Sequence, residues 1–268
     1  MIKTLKLPKF LIPFENDNLI RIGESSDGSY LVDKESVIDS DFLISIGVGT
    51  IFNFEKSFLK LNKVPLLAFD GSAGLLSQLK KIKWRLRQIV RLRNKEYFLD
   101  SFQYFLAPFR FYLFYKNFRE KKLNKNYRKF IKKYVGNKNE YISFSEIFEK
   151  YKLTDNYNKI FFQIDIEGGE YDILIELIKY QNSISGLVIE FHNIDQHIEE
   201  ISEFIKKFKL NLIHNHINNI GGVNEENIPR VIELTFSNSL VYNKVKKLPH
   251  PLDRPNSDDF FNYEIINR

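Results

Sequence analysis

Four short, mostly apolar runs, three of them stopped by a glycine or an acidic residue, constrain this chain more than any other feature. They are Phe42–Ile46 (FLISI, then Gly47), Pro65–Phe69 (PLLAF, then Asp70), Lys159–Asp165 (KIFFQID) and Gly186–Phe191 (GLVIEF). Runs of five to seven apolar residues without polar alternation suit strands covered on both faces, as in a parallel sheet. Between them lie segments with helical spacing: Asn53–Leu61, Ser145–Lys152, Glu170–Tyr180 and His197–Phe208. Two further strands, Leu210–His216 and Arg230–Ser237, follow one another without a helix. The order predicts an α/β fold, a Rossmann-like doubly wound sheet that is mostly parallel with an antiparallel final strand. Ligands of such sheets bind at the carboxyl ends of the strands.

The rhythm breaks between residues 71 and 129, a basic and aromatic stretch expected to hold two or three helices. Residues 71–138 carry 19 Lys and Arg against 3 Asp and Glu, whereas the other 200 residues carry 21 against 31. The net charge of +6 therefore hides an acidic core with a basic insertion. The expected organisation is one domain over 1–268. It comprises an N-terminal extension 1–40, a core of 41–70 and 130–238, the helical insertion 71–129 and a tail 239–268 that wraps the surface. The absence of cysteine fits a reducing compartment. The start of the chain, broken by Pro8 and Pro13, does not read as a signal peptide, and no window is apolar enough to span a bilayer. The expected location is the cytoplasm.

Chemistry concentrates at the strand ends. Gly47 and Gly49 follow the first buried strand and precede a helix, where glycine permits positive φ and close approach to a ligand. A dinucleotide fingerprint would place a third glycine at position 52, but Phe52 stands there. Asp70 ends the second strand, 21 positions after Gly49, where a carboxylate can accept both hydroxyls of an adenosine ribose or can cap a helix. Glu55 is a further polar candidate at the start of the intervening helix, where its charge also favours the helix N-terminus.

The run Phe162–Leu174, FQIDIEGGEYDIL, leaves a buried strand through two glycines into a helix and sets Asp165 and Glu167 on one face. It resembles the signature of the FkbM-type S-adenosylmethionine-dependent methyltransferases. Further matches occur in order. They are Arg21-Ile22-Gly23 with Asp27–Val32, Ser45–Gly49 with Phe54-Glu55, Ala68–Asp70, His214–Asn219, and Pro229 to Phe236. Ser29 departs from the usual second glycine of the N-terminal motif, and Gln163 stands where a basic residue is frequent. The resemblance covers roughly residues 19–70 and 130–238. It implies a class I methyltransferase fold with S-adenosylmethionine as methyl donor and S-adenosylhomocysteine as product. It also implies a cofactor set of Gly47, Gly49, Glu55, Asp70, Asp165 and Tyr30, and a reaction that is often O-methylation of sugars and natural products.

Deprotonating a hydroxyl requires a base, for which His192, His214 and Asp165 are the candidates. A divalent metal on two carboxylates and imidazoles is conceivable but not favoured. Rival readings are a non-catalytic ligand- or membrane-binding member of the fold and a metal-dependent hydrolase using Asp165, Glu167 and His192. The basic insertion suggests a structural cap or a lid for an anionic or nucleotide-linked acceptor, such as a surface glycan. Contact with an anionic membrane comes next, and nucleic acid is not expected because no recognised binding motif accompanies the charge.

Overall fold

Strands β4 (Phe42–Ile46), β5 (Leu66–Phe69) and β7 (Ile160–Ile164) are buried at every position. Covering both faces of such strands requires a layer on each side, and the fold supplies them. The structure is a computed structural model describing residues 2–23, 28–49, 52–73, 109–115, 124–245 and 247–266. Its main sheet has seven strands in the order β6-β5-β4-β7-β8-β10-β9, where β6 is Arg128–Ile131, β8 Ile184–His192, β9 Asn211–Ile217 and β10 Val231–Ser237. All pairings are parallel except those of β10, which runs antiparallel to both β8 and β9. The expected doubly wound sheet with an antiparallel final strand is thus the observed one. Its direction of winding reverses between β4 and β7, which opens a crevice at their carboxyl ends.

One face packs Phe42, Ile44, Phe162 and Ile189 against Phe144 and Phe148 of helix α3 (Phe144–Lys150), Leu177 of α5 (Leu174–Tyr180) and Phe204 of α6 (Ile198–Lys207). The opposite face packs Leu43, Leu66, Phe161 and Val188 against Phe54 and Phe58 of α2 (Asn53–Leu61) and Val37 of α1 (Lys34–Asp39). A short α4 (Leu153–Asn156) precedes β7. The helix expected from Glu170 begins instead as a 3-10 turn, Glu170–Ile173, before α5.

The ends of the chain are more structured than the sequence suggested. Strand β2 (Leu19–Ile22) pairs antiparallel with β3 (Tyr30–Asp33), and Tyr30 and Val32 are buried on the second face. Asp33 caps α1 by accepting from the Ser36 amide at 3.1 Å. It also gathers the hydroxyls of Ser36, Ser237 and Ser239, which hold its carboxyl low against the effect of burial. The tail does not merely wrap the surface. Strand β12 (Asn262–Ile266) pairs in parallel with β1 (Ile2–Leu5) and antiparallel with β11 (Lys247–Leu248), giving a separate three-stranded sheet.

Residues 109–115 are helical, and Tyr115 is buried among Phe52, Phe111, Phe114 and Phe130. The rest of the expected helical insertion, 74–108 and 116–123 with the basic run Lys80 to Arg93, lies outside the described residues. Strand β6 starts at Arg128, inside the range expected for the insertion.

Between the sheet and the tail lies a sealed ionic cluster. Asp253 stands 3.2 Å from His214 Nε2 and 3.6 Å from His216 Nδ1, and His216 Nε2 meets Asn256 at 3.1 Å. Burial alone would lower the His216 pKa, but Glu233 and Asp253 lift it to about 9. A folded value above the unfolded one, near 6.5, stabilises fully below about pH 6.5 and is lost as pH rises through about 9. Asp253 lies below its ordinary value: burial is outweighed by the histidines, so its contribution disappears only in acid. Urea unfolding should therefore show stability declining between about pH 6.5 and 9, and His216→Asn should flatten much of that slope. An unchanged slope would mean that the ring is neutral in the folded protein.

Candidate functional site

The carboxyl ends of β4 and β7 touch through their backbones. The Asp165 amide donates to Ile46 O at 2.9 Å, and the Gly47 amide donates to Phe69 O at 2.8 Å on the other side. Gly47 has φ +85°, and a Cβ there would lie 1.5 Å from the Asp165 carbonyl oxygen. Only glycine can turn the chain at this point. Gly49, at φ +60°, meets open space instead, and its amide donates to Asp70 Oδ2 at 2.6 Å. Asp70 Oδ1 accepts from the Ser72 amide and hydroxyl and from the Ala73 amide, each at 2.7 Å. Asp70 thus ties the β4 loop to the β5 loop, while Oδ2 retains capacity for a further donor.

The loops frame a cleft of about 650 Å³. Six of the seven expected site residues on this side of the molecule line it: Tyr30, Gly47, Gly49, Glu55, Asp70 and Asp165. Glu167 lines it as well. Glu55 is 2% exposed, and burial pushes its carboxyl up to about 7 against the pull of Ser45. The Ser45 hydroxyl lies between Glu55 Oε1 and Gln163 Oε1. One hydroxyl has a single proton to give to two such oxygens, so a protonated Glu55 completes the chain as donor. Glu55 Oε2 is buried with no partner among the described residues.

The seventh residue, His192, ends β8 behind Asp165 and does not line the cleft. Its Nδ1 is 3.0 Å from Oε1 of the fully buried Glu170, which also receives the Ile166 and Gly168 amides at 3.2 Å. Its Nε2 faces Glu167 at 3.5 Å, Glu190 at 3.7 Å and Asp165 at 4.0 Å. Burial opposes protonation of this ring, but Glu170, Asp165 and Glu167 raise its pKa. His214 belongs elsewhere. It is on β9, paired with Asp253 in the sealed cluster, and does not line the cleft.

Four residues were missed as site candidates. Glu170 and Glu190 surround His192, and Tyr134 and Tyr141 stack on one another at 5.1 Å on the cleft wall. The Tyr134 ring presses so closely on Gly71 that a Cβ there would lie 2.3 Å from it. The second glutamate of IDIEGGE was the available signal for Glu170; nothing local marked the tyrosines.

A scan of family models finds no match for the chain, and a search of curated proteins finds none. Among solved structures the chain is similar to a precorrin-6y C5,15-methyltransferase from Geobacter metallireducens. The identity is 12%, over 77% of this chain and 85% of that one, with a TM-score of 0.34. It is similar also to TYW2 of M. jannaschii in complex with AdoMet, at 10% identity over 84% and 88% of the chains, TM-score 0.32. Likeness this distant carries no functional weight; the strand order and the cleft stand on their own coordinates.

The two loop glycines should separate in a stability measurement. Gly49→Ala adds left-handed strain of about 1–2 kcal/mol in open space. Gly47→Ala adds a collision with the backbone and should cost upwards of about 4 kcal/mol by urea denaturation. Equal losses would show that the β4 loop does not press on β7.

Proposed function

We propose that this chain is an S-adenosylmethionine-dependent methyltransferase that modifies an oxygen of a sugar or other small-molecule acceptor. The observation that carries the reading is an acidic cleft at the switch point of a doubly wound sheet, with glycine turns on one wall and Glu55, Asp70 and Asp165 around it. Such a cleft suits a ligand with a ribose and positive charge. S-adenosylmethionine, whose methyl rides on a positively charged sulfur, supplies the activated group.

In this reading the Gly47–Gly49 turn gives the cofactor close backbone approach, and Asp70 Oδ2 takes a ribose hydroxyl. Glu55 meets the ammonium of the amino-acid end, and the Tyr134–Tyr141 pair borders the purine with aromatic surface. Asp165 accepts the hydrogen bond of the acceptor hydroxyl. Placement of the two reactants and exclusion of water provide most of the rate. The motifs shared with FkbM-type enzymes support sugar O-methylation as the finer assignment. An anionic acceptor, attracted by the basic stretch and by Lys133 and Lys138 on the cleft wall, completes it. Among the described residues no helix is long and apolar enough to cross a membrane, and the reading takes the cytoplasm as the site of action.

Isothermal titration with S-adenosylhomocysteine tests the cofactor assignment. Wild-type protein should bind it, and Asp70→Ala should weaken binding by at least about tenfold, equivalent to a lost charge-assisted hydrogen bond of roughly 1.5–3 kcal/mol. Because Glu55 titrates near 7 and a cationic ligand group favours its ionised form, affinity should fall as pH drops from 8 to 6. Glu55→Gln should remove that dependence. Absence of binding, or Asp70→Ala binding as tightly as wild type, sinks the assignment.

A further inference from the structure

We propose that Asp165, Glu190 and His192 form a binding site for one divalent cation of the Mn²⁺ class, beside the cleft where β7 and β8 end. One donor atom from each lies within 4.8 Å of the other two. The distances around His192 Nε2 are the first argument. A protonated ring hydrogen-bonded to a carboxylate would bring N and O to about 2.7–2.9 Å. Nε2 instead stands 3.5–4.0 Å from oxygens of three different carboxylates: Glu167, Glu190 and Asp165. Two donors bound to one cation at about 2.1 Å are separated by about 3 Å at right angles and about 4.2 Å when opposite. The observed spacing is that of ligands around a shared centre.

A second observation is independent of those distances. Glu170 is fully buried and holds the other ring nitrogen, Nδ1, at 3.0 Å. A carboxylate behind the distal nitrogen is the usual device that fixes a metal-binding imidazole and leaves Nε2 facing the ion. The remaining oxygen of this carboxylate, Oε2, is buried and has no hydrogen-bond partner among the described residues. Asp165, Glu167, Glu170 and Glu190 all come within 4.0 Å of one imidazole. Glu167 reaches solvent and Glu190 also accepts from Asn218 Nδ2 at 2.9 Å and the Tyr30 hydroxyl at 3.4 Å, yet one proton on the ring leaves Asp165, Glu170 and Glu190 in negative excess, which a dication reduces. Carboxylates with a single imidazole favour Mn²⁺ over softer ions.

Three protein donors leave about half of a six-coordinate shell open. Because Asp165 also lines the cleft, an acceptor oxygen can complete that shell. A cation there would hold the hydroxyl in place and lower its pKa, with Glu167 at the mouth to receive the proton. This last step deepens the methyl-transfer reading; the ion site itself stands on the side chains alone.

The test uses the full chain without cofactor, titrated with MnCl₂ and followed by electron paramagnetic resonance of free Mn²⁺. Wild-type protein should bind one equivalent. His192→Ala and Glu190→Gln should weaken binding at least tenfold, and Glu170→Gln by about 10–100-fold through the outer shell. Circular dichroism melts identify any variant that fails to fold, and Asp165→Asn then provides the same reading from the opposite side. No binding by wild type at millimolar Mn²⁺, or unchanged affinity in the folded variants, overturns the site. Cofactor binding measured by titration is a separate quantity, so either result leaves the methyl-transfer reading to its own experiment.

Discussion

The backbone contact between the end of β4 and the end of β7 is the constraint on which this molecule depends. Where the sheet reverses its winding the connections that leave two paired strands part to opposite faces, and here the chains are still so close that no side chain fits between Gly47 and the Asp165 carbonyl. That approach fixes where the β4 loop can travel. The loop's next glycine then meets Asp70, and the β5 loop is drawn to the same place by the remaining bonds of that carboxylate. The cleft is a consequence of these contacts. Its walls are turns held by these bonds, which makes its shape a property of the fold rather than of a bound ligand.

Acidic side chains are expensive to gather, and the structure manages the cost in different ways at each position. Asp70 is held by backbone and hydroxyl donors, three on Oδ1 and one on Oδ2, and needs no counter-charge. Glu55 reduces its charge instead, since burial raises its carboxyl to near neutrality and Ser45 links it to Gln163. Asp165, Glu167, Glu170 and Glu190 face a single imidazole, with Glu170 also taking the Ile166 and Gly168 amides and Glu190 the Asn218 side-chain amide and the Tyr30 hydroxyl. The first solution is purely geometric, the second is sensitive to pH, and the third sets one imidazole among four carboxylates.

Much of this was legible in the residues. Strands without polar alternation announced a sheet covered on both faces, and the positions of Gly47, Gly49, Asp70 and Asp165 at strand ends followed from the rule for open α/β sheets. The β2–β3 hairpin was not legible, because its strands are four residues each and Tyr30 is buried only by tertiary packing against α2 and the sheet. The pairing of β1 with β12 joins residues some 260 positions apart, and no local pattern encodes such a contact. The placement of Glu190 beside His192 required knowing the side-chain rotamers of one strand end. Alternation correctly set His214 and His216 on one face but could not tell which structure covers that face; Asp253 and Asn256 of the tail do so.

Two acid–imidazole clusters therefore lie on the same sheet, and their difference in charge balance separates structure from chemistry. Around β9 and β10, Arg21 and His216 face Asp253 and Glu233, and His214 pairs with Asp253. Asn256 bridges His216 to Glu233, and the tail closes over the whole. Everything there finds a partner within the protein, and the product is attachment of the tail. At the end of β8 the imidazole is outnumbered, Glu167 is open to solvent, and one oxygen of Glu170 is unmatched among the described residues. A buried network that is complete stabilises a fold, whereas one left with an excess charge beside an open cleft persists only if something else supplies the balance. By that criterion the cluster of His214 and His216 serves to fasten the tail, and the cluster around His192 lies where the proposed acceptor and cation would enter.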